Sequence, residues 1–171
     1  MSFWLRVKRR IFRVIVRGIL YAITRIRGEN MQVLNDTTGP VIIACNHLGR
    51  MDALLTLGLV KRDDIIVVVA EKYAKSGVIR WFVRQLDLLF LQRYEADFGT
   101  LKEVLRRLQA GGILVIAPEG TRSTTEALLE GKPGVTFLAA KSGATIIPVG
   151  STGTEDRAVA AAYRSWRRPT I

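Results

Sequence analysis

The sequence predicts an α/β fold: a mostly parallel or mixed central sheet flanked by helices, preceded by an N-terminal amphipathic interfacial helix. Short β-branched apolar runs recur along the chain, amphipathic segments alternate with them, and turn residues stand at the changeovers. After an Asn-Asp-Thr-Thr-Gly-Pro turn at 35–40, the run Val41–Cys45 reads as a buried strand. Residues 52–60 then read as a helix, 65–70 as a second strand, a helix follows near 78–86, and 88–91 form a third strand. Phe98, Leu101, Val104, Leu105 and Leu108 mark one face of a helix that stops at Gly111-Gly112. A fourth strand at 113–117, a helix at 134–141 and a fifth strand at 144–149 complete the pattern. Such alternation predicts a sheet covered on both faces. The tail after Gly153 is weakly patterned.

A chain of 171 residues, 49% hydrophobic and 24% charged, suffices for one domain with a real core and excludes disordered and fibrous classes. One cysteine, Cys45, excludes an intrachain disulfide, and a single histidine beside it argues against a structural metal site. The net charge is +11, from 26 lysines and arginines against 15 acids. Eight of those cations lie within residues 1–27, before the first acid at Glu29, which leaves only +3 for the remaining 144 residues. Nucleic-acid domains spread basic charge over a folded face, so this concentration argues against a nucleic-acid partner.

No stretch approaches the roughly 20 apolar residues that span a bilayer, and arginines interrupt any candidate secretory core. At about 100° per residue, Trp4, Val7, Ile11, Val14, Ile15, Ile19, Ala22 and Ile26 share one side of a helix. Arg6, Arg9, Arg10, Arg13, Arg17 and Thr24 share the other, with Lys8 and Arg25 off pattern. A core-packing helix with a solvated basic face would give this pattern, and so would an in-plane membrane helix. The absence of any acid favours the membrane helix, because ordinary surface helices mix signs to make i,i+4 pairs. The five arginines from Arg6 to Arg17 are then expected to meet anionic headgroups.

Sites in such sheets gather at the carboxyl ends of strands, and two polar clusters fall there. Directly after the first strand comes Asn46-His47-Leu48-Gly49-Arg50-Met51-Asp52. Asp52 can accept from one nitrogen of His47, leaving the other as a base toward a hydroxyl, although a helix-capping Asp52 beside a loop histidine would look the same. Directly after the fourth strand comes Pro118-Glu119-Gly120-Thr121-Arg122-Ser123. Gly120 permits positive φ, and Arg122 offers a planar fork suited to phosphate. Glu119 would repel a phosphate and is expected to hold an arginine or accept from a substrate hydroxyl. Cys45, two residues before His47, could in principle act as a thiol nucleophile, but a small side chain in a strand is more often packing.

Together the clusters resemble the lysophosphatidic acid (1-acylglycerol-3-phosphate) acyltransferase family. Its four blocks stand here in order, as Asn46 to Asp52, Phe90-Leu91-Gln92-Arg93, Pro118 to Ser123, and Ile147-Pro148-Val149. Lys72 and the Lys132-x-Gly134 pair are further family features, and the resemblance covers roughly residues 40–150. It implies transfer of an acyl group from acyl-CoA or acyl-carrier protein to the hydroxyl of lysophosphatidic acid, giving phosphatidic acid. His47 would be the general base and Asp52 its orienting partner. Arg93, Glu119, Gly120, Thr121 and Arg122 would bind the acceptor, with no metal or cofactor. Glycerol 3-phosphate or another lysolipid is the alternative acceptor, and a catalytically idle membrane-binding fragment the alternative role. Three positions depart from the family pattern: Gly49 where serine is usual, Asp87 where glycine is, and Ala117 where phenylalanine is.

The expected organisation is a membrane-interface helix over residues 1–27 and an acyltransferase domain over 28–171. Ile171 reads as the middle of a strand, so the domain is expected to be C-terminally incomplete. The partners implied are an anionic membrane surface, a lysophospholipid and the acyl donor. The place implied is the cytoplasmic face of the cell membrane, with peripheral or monotopic attachment.

Overall fold

Adjacent parallel strands form the centre of the computed structural model, which describes residues 2–92, 97–123, 125 and 127–171, without the side chain at 53. Strands β1 (Val41–Cys45), β2 (Ile65–Ile66), β5 (Ile113–Ile116) and β6 (Thr145–Val149) make one sheet in the order β2-β5-β1-β6. Every pairing in it is parallel. A separate parallel pair joins β3 (Val68–Ala70) to β4 (Leu89–Leu91). The helices are α1 (Phe3–Ile23), α2 (Met31–Asp36), α3 (Met51–Leu59), α4 (Gly77–Gln85), α5 (Phe98–Gln109), α6 (Gly134–Ser142) and α7 (Asp156–Arg164).

Successive residues of β1 point to opposite faces, and both faces are buried. Ile42 joins Ile66 and Leu114 beneath Val104 and Leu108 of α5 and Val135 and Leu138 of α6. Val41 and Ile43 join Ile65, Ile113, Val60 and Leu34 on the other side. A third cluster unites Val16 and Leu20 of α1 with Leu55 of α3. At that crossing Gly58 has no Cβ, and a methyl there would come within 2.7 Å of Leu20 Cδ1.

The parallel sheet and its covering helices follow the sequence closely, but the first helix ends at Ile23 rather than 27, with Thr24 already extended. Helix α2 forms where the sequence pattern assigns no element, running into the 35–40 turn. Three further features differ. The run at 65–70 is not one strand: Ile65 and Ile66 pair with β5, the Val67 carbonyl accepts from the Leu89 amide, and Val68 onward pairs with β4. An uninterrupted β-branched run carries no mark where its partner changes. The segment 71–75, to which the sequence pattern assigns no element, is a 3₁₀ turn. The weakly patterned tail holds α7, whose Ala158 and Ala160 to Ala162 are strong helix formers and whose Asp156 suits a helix N-terminus.

The first helix combines both of its readings. Phe12, Val16 and Leu20 pack inward, while Trp4, Ile11, Val14, Ile15, Ile19 and Ala22 of the predicted stripe are exposed. The arginines correct one expectation, since Arg9 and Arg13 turn into the protein, with side chains only 12% and 16% exposed. Arg9 donates to the carbonyls of Asp63, Ile65, Leu86 and Asp87. Arg13 donates to the Arg62 carbonyl and pairs with Asp63 at 2.8 Å. The loops beneath α1 end in backbone carbonyls that need donors, and an arginine on that face reaches them. Past the helix, Arg25 bridges to Thr170: its amide donates to Pro169, and the Ile171 amide donates back to the Arg25 carbonyl. Among the described residues no helix is long and apolar enough to cross a membrane.

Candidate active site

Because β5, β1 and β6 are neighbours with one direction, their carboxyl ends bring three loops together: 46–52, 118–123 and 150–156. Two of them are the clusters picked out by the sequence. They are joined directly, since the Ser123 amide donates to the His47 carbonyl at 2.8 Å.

Asp52 stands in the first turn of α3 with its carboxylate folded back over the loop. Its Oδ2 accepts from the Leu48 amide at 2.8 Å and the Gly49 amide at 2.9 Å, and lies 2.9 Å from His47 Nδ1. Burial alone would raise its pKa. The hydrogen bonds from His47, Gly49 and Leu48 outweigh that and hold the carboxyl below the usual carboxylate range. An ionised carboxylate only accepts, so Nδ1 carries the proton and, in the neutral ring, Nε2 keeps a lone pair. The His47 side chain is partly open to solvent. This is the geometry a general base requires.

Supports around the pair account for one departure from the family pattern. A Cβ at Gly49 would lie 1.8 Å from the Thr154 carbonyl oxygen, so the segment after β6 occupies the space a serine would need. That segment is clamped by Asn46, whose Nδ2 donates to the Ser151 carbonyl and whose Oδ1 accepts from the Ser151 amide, both at 2.8 Å. Cys45 is placed as packing. Its thiol donates to the Ile116 carbonyl at 3.6 Å, and burial, with the charges of Asp52 and Glu119, pushes its pKa up to about 11.

In the second loop Gly120 has φ +70°, as its role in the turn requires, and the stem of Lys132 lies across it. A Cβ at Gly120 would come 3.2 Å from Lys132 Nζ. Thr121 is exposed, and Arg122 is partly exposed with its Nη1 donating to Asp156 Oδ2 at 2.7 Å. Glu119 is buried, and its Oε2 accepts from the Leu129 amide at 3.2 Å. Arg93 lies outside the described residues. Sequence reasoning missed the contacts of Asn46, Lys132 and Asp156. The first two stand in or beside recognised blocks, whereas nothing in the sequence links Asp156 to Arg122. Asp87 explains a second departure, because its φ is +51° where the family has glycine. Arg107 pairs with its carboxylate at 2.9 Å.

Beside the loops, a cavity of about 750 Å³ opens between β1, β6, α3 and the segment from Ile26 to Leu34. Ile43, Leu55, Leu59 and Val149 give it apolar walls, and Arg27, Glu29, Asp52, Thr56 and Ser151 also line it. Among the described residues no group of three or more His, Cys, Asp or Glu side chains could hold a metal ion.

Comparison with known proteins bears on the fold and the family. The chain is 27% identical over 142 residues to a chloroplastic 1-acyl-sn-glycerol-3-phosphate acyltransferase of Arabidopsis thaliana, matching 79% of this chain and 38% of that protein. It is 28% identical to a 1-acyl-sn-glycerol-3-phosphate acyltransferase of Cocos nucifera, over 76% of this chain and 40% of the relative. The crystal structure of the 1-acyl-sn-glycerophosphate acyltransferase PlsC from Thermotoga maritima superposes with a TM-score of 0.64 at 25% identity, covering 84% of this chain and 56% of that one. The chain thus spans between about two fifths and somewhat over half the length of these relatives. The model of the family described as Acyltransferase matches residues 23–152, taking in the first two loops, the start of the third and the sheet that presents them. On that match and on the fold, the chain belongs to the Acyltransferase family.

Proposed function

We propose that this chain transfers a fatty acyl group to the free hydroxyl of lysophosphatidic acid, as a 1-acylglycerol-3-phosphate O-acyltransferase. The observation that carries this reading is the His47 Nδ1 contact with an ionised Asp52, at a strand end tied to the 118–123 loop. His47 Nε2 takes the proton from the acceptor hydroxyl while its oxygen bonds to the thioester carbonyl carbon. The tetrahedral intermediate collapses with loss of the C–S bond, and the leaving thiolate recovers the proton from the imidazolium. Asp52 stays ionised throughout and stabilises the charged ring. The donor is acyl-CoA or acyl-carrier protein, and the thioester supplies the driving force without a cofactor.

In this reading Arg93, Gly120, Thr121 and Arg122 receive the phosphorylated glycerol, and Glu119 shapes their loop from beneath. The apolar cavity beside Asp52 supports an acyl chain. Residues 1–27 serve as a peripheral membrane-interface element, seated through the exposed stripe of α1 on an anionic leaflet, and residues 28–171 carry the reaction.

The test uses the purified chain with mixed vesicles and a panel of acyl-CoA and acyl-carrier-protein donors, offered lysophosphatidic acid or glycerol 3-phosphate. Mass analysis is expected to find phosphatidic acid. Product from glycerol 3-phosphate alone would reassign the acceptor. Donor and acceptor both unconsumed would leave a membrane-binding fragment and overturn the proposal.

A further inference from the structure

Helix α4 carries apolar side chains at Val78 and Trp81 that the described residues leave exposed. Ile79, Val83 and Leu86 recur at i, i+4 and i+7; Val83 and Leu86 are buried and Ile79 half-buried. Val78, Trp81 and Phe82 lie on an adjoining face, with Val78 66% and Trp81 57% exposed. Large side chains in water at this density mark a contact surface rather than chance exposure.

That face lies beside α1. The Phe12 and Phe82 rings stand 5.7 Å apart, and Lys8 Nζ donates to Gln85 Oε1 at 2.8 Å. Three residues forward on α4 thus match four residues back on α1, so the two helices run antiparallel along this seam. On α1, Phe12 is followed on the same side by Ile15 and Ile19, both more than half exposed. Apolar surface is therefore continuous from the α1 stripe across the Phe12–Phe82 pair to Trp81 and Val78. Trp81 also packs edge-on against Phe82 at 4.9 Å, which fixes the indole outward.

The charges indicate what lies against this surface. From Lys72 to Gln85 the chain carries Lys72, Lys75, Arg80 and Arg84 and no acid, and all four cations are exposed. Exposed tryptophan and valine among these four cations, with Glu71 and Asp87 the acids just beyond the two ends of the segment, complement an anionic lipid surface.

We propose that α4 is a second membrane-contacting element, so that the protein sits on an anionic bilayer through an α1–α4 platform with Trp81 and Val78 inserted beside the α1 stripe. This rests on the membrane reading of α1 given above. With two antiparallel helices in contact, the protein has a fixed tilt on the bilayer, whereas one helix would leave it free to roll about its axis.

Two variants of the full chain test this. Trp4→Phe/Trp166→Phe keeps Trp81 as the only indole, and Trp81→Phe/Trp166→Phe keeps Trp4. Each is mixed with phosphatidylglycerol-containing vesicles bearing brominated acyl chains. Both indoles are expected to shift blue and be quenched, and Arg80→Gln/Arg84→Gln is expected to lower vesicle partitioning by about 10- to 30-fold. Quenching of Trp4 with Trp81 still in water would overturn the α4 proposal and leave the α1 anchor standing. Quenching of neither would remove both. Protection of Trp81 from aqueous acrylamide without vesicles, together with a dimer mass, would mean that a second copy covers the face and would also overturn it.

Discussion

Asp52 does two jobs through one oxygen, holding the turn at Leu48 and Gly49 and fixing the His47 tautomer. Replacing it with asparagine keeps the shape but allows the side-chain amide to face Nδ1, which reverses the tautomer. Asp52→Asn is expected to lower turnover by about 10²- to 10⁴-fold with little change in acceptor KM, measured by steady-state kinetics. The same group gives a pH signature. Its folded pKa lies below its unfolded one, so its stabilisation is present above the ordinary carboxylate value of about 3.9 and is lost as pH falls through the folded value. Acid unfolding of Asp52→Asn should accordingly depend less on pH below about 5 than that of the native chain. Cys45 should be dispensable: with its thiol at a pKa of about 11, Cys45→Ala is expected to retain most activity. An acyl group trapped on Cys45 would contradict that. At Arg122, substitution by alanine should raise acceptor KM by about 10- to 100-fold and leave donor KM nearly unchanged.

The inward face of α1 is held by arginine as much as by hydrocarbon. Removing the Arg9 side chain strips donors from four carbonyls, so Arg9→Leu is expected to destabilise the fold by about 2–4 kcal/mol. Arg10→Gln, at an exposed position, should change stability by less than about 0.5 kcal/mol, and denaturant titration of the two variants separates these outcomes. Elements with a strong period were legible in the sequence, as were the loops that carry His47 and Arg122, because strand ends and turn residues locate them. Partner choice was not legible. Helical periodicity placed Arg9 and Arg13 opposite the apolar stripe, but only the packing of α1 on α3 decides that this side faces protein. The change of sheet at Val67 and the contact between Asp156 and Arg122 depend likewise on distant segments, which local pattern does not encode.

Over the whole molecule, α3 links the two ends of the account: Asp52 stands in its first turn, and Leu55 packs against Val16 and Leu20 of α1. On the proposed function, a protein seated on a bilayer through α1 holds His47 at a set distance from the lipid surface, where the proposed lysophospholipid acceptor would reside. Raising ionic strength should weaken association with anionic vesicles, because the exposed cations act through a screened field. The most direct measurement is initial-rate formation of phosphatidic acid on lysophosphatidic acid vesicles by the native chain and by His47→Ala, with circular dichroism confirming that both are folded. The account predicts product from the native chain and a rate lower by about 10²- to 10⁴-fold in the variant. Near-equal rates from the two folded proteins would contradict it.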